Sequence, residues 1–235
     1  MLNIFDKKIS LQEPGHKYIL ESNPQLKFKS VTGVIGEYFE PFDKHKIAEK
    51  LVRTSPKYLG MQPSALIKDW DAARDYGTKV HHEIELSLNK DIRPDELESF
   101  AAIEWLKKYK NKSNLKIYPE VIVYSTELKI AGSMDILAYD ESIDSYEIID
   151  WKTSKSIDKT SFGGKMGTHP VTSHLMDCRY VHYSIQLSFY RYILEEYYGL
   201  KIHNQLIGHL SGNDCTLHVA RYYRKEIVSI LDAEN

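Results

Sequence analysis

Cysteine is almost missing from this chain. Two residues, Cys178 and Cys215, occur in 235. That is too few for a disulfide framework, a four-thiolate zinc site or an iron–sulfur cluster held by one chain. A reducing, cytoplasmic compartment is the expectation. No apolar run approaches the ~20 residues that a membrane-spanning helix requires. The N-terminal stretch MLNIFDKKISLQEPGHKYIL lacks the apolar core of a signal peptide, and its early acids are unlike a transit peptide. Neither sign of charge is in surplus: 31 basic against 33 acidic side chains leave −2, so bulk electrostatics do not announce a nucleic-acid binder, although local patches remain open. There is no Gly-x-x-x-x-Gly-Lys-Ser/Thr phosphate loop, hence no helicase motor, and no repeat or low-complexity tract.

What is present is a globular composition, 42% hydrophobic and 27% charged. At about 150 residues per domain, one elaborated domain fits the length. Turn formers at Glu13-Pro14-Gly15 and Asn23-Pro24 predict an N-terminal hairpin leading to a short helix near Thr32. Asp43 is placed to cap a basic amphipathic helix carrying Ile47, Leu51 and Val52. A second helix follows Pro63 with Leu66, Ile67, Trp70, Ala73, Val80, Ile84 and Leu88 near a 3.6-residue period, interrupted by Gly77. A third spans about Pro94 to Lys110, with Phe100, Ile103, Leu106 and Tyr109 predicted inward and a lysine-rich exit at Lys107, Lys108, Lys110 and Lys112.

Beyond residue 115 the period changes to two. IYPEVIVYS, ELKIAGSMDILAY and SYEIIDWKT read as an antiparallel meander with a turn at Asp140-Glu141-Ser142. An irregular stretch, Ser154 to Arg179, is too long for a passive connector. A helix then ends at Gly199, and IHNQLIGHL and TLHVARYY form a closing hairpin around Ser211-Gly212-Asn213-Asp214. The sum is an α/β or α+β domain with a mixed central sheet flanked by helices on both faces.

Three constellations carry chemistry. On a strand, Asp150 and Lys152 point to one face, and a neighbouring antiparallel strand would bring Asp135 beside them. The cluster reads either as a cross-strand salt bridge or as hard oxygen ligands for Mg²⁺ or Mn²⁺ with an ammonium beside them. Gly77, His81 and Glu85 fall at i, i+4 and i+8 on one helix face, with His82 about 100° away. This face reads as solvated, as a satisfied core histidine or as the completion of a metal site, and a side chain missing at Gly77 permits close approach. Tyr183, Gln186 and Tyr190 share a face of the late helix, which suits core packing or, through the Gln amide, contact with a phosphate or base.

In order, Gly77-x-x-x-His81-x-x-x-Glu85, Gly132-Ser133-Met134-Asp135, Asp150-Trp151-Lys152-Thr153 and Tyr183-x-x-Gln186-Leu187-x-x-Tyr190 resemble the motifs of the PD-(D/E)xK nuclease superfamily. The likeness is to its RecB-type branch, with phage exonucleases and the mitochondrial genome maintenance exonuclease group. It implies a restriction-endonuclease-like core over about residues 63–222, an elaboration over 1–62, and a single domain in all. Carried onto matching positions, it implies metal ligation by Asp135 and Asp150 with the Trp151 carbonyl, His81 and Glu85. It makes Lys152 the catalytic lysine with Gln186 beside it, and Gln186, Tyr190 and Tyr183 the contacts to DNA. Glu120, Gly77 and Gly132 take supporting roles. One or two Mg²⁺ or Mn²⁺ ions and a DNA partner, single-stranded or with free ends, follow from the resemblance, as does a bacterial or phage setting; an iron–sulfur cluster and a membrane do not. Lys155, Lys159 and Lys165, with Phe162, read as a strand guide or a solvated face. A structure-specific endonuclease and an inactive DNA-binding module are the alternatives.

Overall fold

Period-two alternation in the middle of the chain yields a sheet, and the helical stretches on either side of it cover its two faces. The computed structural model describes residues 4, 8–12, 15–111 and 115–234. Glu13 and Pro14 of the predicted turn, and Lys112, lie outside these residues. β1 (Ile9–Gln12) and β2 (Lys17–Leu20) pair as an antiparallel hairpin. β3 (Lys29–Ser30) leads into α1 (Val31–Gly36), where Ser30 caps by accepting from the Gly33 N–H. α2 (Lys44–Thr54) starts on Asp43, whose carboxylate accepts from the Lys46 N–H. α3 (Pro63–Lys90) opens with proline in its first turn and runs unbroken through Gly77. It is followed by α4 (Leu97–Lys110).

The meander is β4 (Leu115–Ser125), β5 (Ile130–Asp140) and β6 (Ser145–Lys152). After the irregular stretch come α5 (Arg179–Tyr198), closed by Gly199 at φ 68, then β7 (Ile202–Ser211) and β8 (Asp214–Val219). α6 (Arg224–Glu234) ends the chain. β4, β5, β6, β7 and β8 are neighbours in that order; β6 runs parallel to β7 and the other pairs in this series are antiparallel. β3 joins β5 in parallel at Ile130 and Ala131. The sheet is therefore mixed, as the sequence predicts.

Two cores flank it. Val80, Ile84, Ile103 and Leu106 of α3 and α4 pack with Ile136, Ile149, Trp151 and Leu206. On the other face, α1, α5 and α6 join one core with Val121, Met134 and Ile148, to which Ile185, Phe189, Ile227 and Ile230 contribute. α1 and α6 thus belong to the packed unit. One prediction is corrected: Phe100 is 44% exposed, because Ser99, Ala102, Ile103 and Leu106 supply the buried face of α4.

Candidate active site

The site lies where the sheet comes apart. β4 pairs with β5 along its length except at Asp135, so β3 and β6 share the other edge, and β6 pairs only from Ile136 outward. Residues 132–135 of β5 are left between them. From Asp150 onward β6 follows β7 alone, to Lys152 opposite His209. The Trp151 N–H, freed from the β5 ladder, donates to Asp135 Oδ2 at 2.6 Å, so a carboxylate replaces the missing strand acceptor.

Side-chain alternation slips at this point. Met134 and Leu137 belong to the core under α5, whereas Ile136 and Ala138 belong to the core under α3 and α4. Asp135 is thereby turned toward α3, where His81 Nδ1 stands 3.0 Å from its Oδ1. Directly across in β4, between Pro119 and Val121, Glu120 has a left-handed φ of 49 and accepts from Ser133 Oγ at 3.2 Å. Gly77 has the predicted close approach: a Cβ there would stand 3.0 Å from Thr153 Oγ1, just past the lysine strand.

Asp150 and Lys152 point to the α5 side. Lys152 Nζ is 2.5 Å from Asp150 Oδ2, 3.5 Å from Gln186 Oε1 and 4.7 Å from the Tyr183 ring centroid. Gln186 Nε2 donates to Asp150 Oδ1 at 3.4 Å and to the Tyr190 hydroxyl at 3.0 Å. Tyr190 is 3% exposed and its ring covers Gly132, where a Cβ would come within 2.4 Å of it. This corrects the prediction that Tyr190 touches DNA: a ring buried against the sheet cannot reach a strand, and it holds Gln186 instead. Glu85 leans to His82, 3.3 Å away, rather than to Asp135. Lys165 pairs with Glu40, Lys159 lies over the Tyr180 ring, and Lys155 is exposed.

Burial alone would lower His81 and Lys152, yet both are raised, His81 by Asp135 and Lys152 by Asp150 and Asp135. Asp135 is held low against its burial by His81, Lys152 and the Trp151 N–H. Burial, reinforced by Asp135, pushes Glu120 up to about 8. Among the described residues no three His, Cys, Asp or Glu side chains already stand in ligating geometry. The donor set nevertheless fits a hard divalent cation. Glu120 is buried beside Asp135 and short of positive charge, and Asp150 is a buried carboxylate that faces the Lys152 ammonium at 2.5 Å.

Sequence reasoning missed two supports. A Cβ at Gly208 would lie 2.3 Å from the Trp151 ring, so only glycine lets that indole lie on β7. His209 Nε2 stands 2.6 Å from the Ser154 carbonyl and pins the chain as it leaves the lysine strand. Only the Gly in LIGHL hinted at the first.

No protein-family model matches the chain, and no curated protein does. Among solved structures it is similar to the protein in "Crystal structure of SSO0001", at 13% identity over 88% of this chain and 74% of that one, with a TM-score of 0.37. A likeness this slight bears on neither fold nor activity.

Proposed function

We propose that this chain is a metal-dependent DNA nuclease, an exonuclease that hydrolyses phosphodiester bonds at DNA ends or in single strands. The observation that carries the reading is the convergence of Asp135, Asp150, Lys152, His81 and Gln186, from two strands and two helices, at the end of the β5–β6 ladder. Asp135 and Asp150, joined by His81 and with Glu120 and the Trp151 carbonyl at hand, would hold Mg²⁺ or Mn²⁺. When bound, such a cation polarises a phosphate and activates a water at neutral pH.

The protein's own groups do the rest. The Lys152 ammonium is fixed between Asp150 and Gln186 and is kept charged, against its burial, by Asp150 and Asp135, so it orients the attacking water and stabilises the charge that develops on the phosphoryl oxygens. Tyr190 fixes the Gln186 amide, which donates to Asp150 and presents its oxygen to Lys152. His81 and the Trp151 N–H hold both oxygens of Asp135 in one orientation.

The test is degradation of end-labelled linear single- and double-stranded DNA beside closed circular DNA, with Mg²⁺, Mn²⁺ or EDTA. Metal-dependent loss of linear DNA is expected, with circles spared, and Lys152→Ala should slow it by roughly 100-fold or more. Cutting of circles would replace the exonuclease by an endonuclease. Binding without cleavage under every condition would leave an inactive DNA-binding module.

A further inference from the structure

We propose that the groove beside Tyr183 is a stacking site for one unpaired nucleobase, with Phe42 and Phe162 as its aromatic walls, so that the substrate is single-stranded next to the bond cut. This rests on the nuclease reading above and names the substrate class for the same site.

The groove has a volume of about 520 Å³, within the range of small-molecule sites. One wall is the segment before α2, which carries Phe42; the other is the irregular stretch after Lys152, which carries Phe162; the start of α5 forms the floor. The walls are joined. Lys165 pairs with Glu40, the Thr168 N–H donates to the Tyr38 carbonyl at 3.1 Å, and the Thr172 hydroxyl donates to the same carbonyl at 2.8 Å.

Both rings face solvent, Phe162 86% exposed and Phe42 66%. A single exposed Phe is ordinary, but two from distant parts of the chain lining one groove form an apolar aromatic surface held open to water. Phe42 is braced edge-on by Trp70 at 5.3 Å, and Phe162 precedes Gly163 and Gly164, both left-handed at φ 67 and 70. Aromatic rings accept any base by its π-face.

The charged groups that line the groove pair with one another, Glu40 with Lys165, Asp158 with Arg179 and Asp177 with His182, so the groove offers a ligand its aromatic faces rather than a surplus of either charge. Tyr183 belongs both to the groove and to the Lys152 cation–π pair. A base in the groove therefore sits next to the nucleotide whose phosphate faces Lys152. A paired base, stacked on both sides in a duplex, cannot enter.

The experiment is fluorescence anisotropy in EDTA with a labelled single-stranded oligonucleotide and a blunt duplex, alongside the cleavage assay in Mg²⁺. Phe162→Ala and Phe42→Ala should each weaken single-strand binding by about 5- to 100-fold and leave duplex binding unchanged. Phe162→Trp should restore it and Phe162→Leu should not, which separates stacking from simple apolar cover. If the parent degrades linear DNA but the Ala variants bind single strands as tightly as it does, the stacking site is refuted and the nuclease reading stands. If the parent neither binds nor cleaves DNA, both fail. If Phe162→Ala changes only the sedimentation of the protein alone, the groove is a protein contact and the proposal is overturned.

Discussion

Glu120 accepts two costs at one position. A non-glycine residue at φ 49 carries a backbone penalty of about 1 kcal/mol or more, and its carboxyl is pushed up to about 8 by burial and then by Asp135. An unfolded glutamate titrates near ~4.3. Between those values the unfolded chain has released a proton that the folded chain keeps, so stability falls as pH rises across the window. Glu120→Gln keeps shape and hydrogen-bonding capacity and removes the titration. In EDTA, this variant should melt higher than the parent, and the gap in Tm should widen from pH 5 to pH 8. Parallel melting curves at every pH would show that Glu120 ionises freely. The same crowding explains why Gly132 must lack a side chain. Its place is filled by the Tyr190 ring, and through Tyr190 the backbone of β5 sets the orientation of Gln186.

At the scale of elements, α6 shows what periodicity delivers and where it stops. Ile227, Ile230 and Leu231 are buried and lie at i, i+3 and i+4, a signal visible in the sequence but only three residues long. The Ile230 carbonyl also accepts from the buried Tyr38 hydroxyl at 3.2 Å, which ties the last helix to the turn after α1. Ile230→Ala should cost about 2–5 kcal/mol, read as a lower urea midpoint; a loss below ~1 kcal/mol would mean that α6 frays without consequence. Elements closed by local rules were legible. Asp43 caps α2, Pro63 opens α3, Gly199 ends α5, and Ser142 turns back on Asp140. The cap or turn residue in each case specifies its own backbone. Helical spacing put His81 on one face of α3 with Gly77 and Glu85; that it meets Asp135, as it does at 3.0 Å, followed from the motif resemblance. Spacing failed for Phe100, and for Tyr190 it left core packing and ligand contact both open, because it groups residues onto a face without naming what covers that face. Phe100 meets solvent, and Tyr190 meets a glycine from a distant strand. The end of the β5–β6 ladder, on which the whole site depends, is set by long-range pairing that no local pattern encodes.

Across the whole molecule, the site requires both helical layers at once, because His81 comes from one face of the sheet and Gln186 from the other. In addition to its core packing, the layer of α3 and α4 is tied to the far end of the sheet by one carboxylate. Glu98 at the start of α4 accepts from the Tyr76 hydroxyl of α3 at 2.5 Å and from the Gly212 N–H in the β7–β8 turn at 2.9 Å. Burial raises its carboxyl, but those two donors outweigh it and hold Glu98 below the ordinary range. A depressed carboxyl lends stability that is fully present above the unfolded value, near ~4.3, and is lost as pH falls through the folded one. Glu98→Gln keeps the size of the side chain and one acceptor but loses the charge-assisted bonds, a cost of about 1–2 kcal/mol at neutral pH. Urea unfolding at a series of pH values should show the variant weaker than the parent at pH 7, with the difference shrinking steadily once the pH drops below about 4.3. A gap that stays constant with pH would assign the loss to packing at the Tyr76 ring, and Tyr76→Phe, which removes the hydroxyl but not the ring, would then leave stability unchanged. If the charge carries the fastening, Tyr76→Phe and Glu98→Gln should be markedly non-additive, since each removes the same bond between α3 and α4.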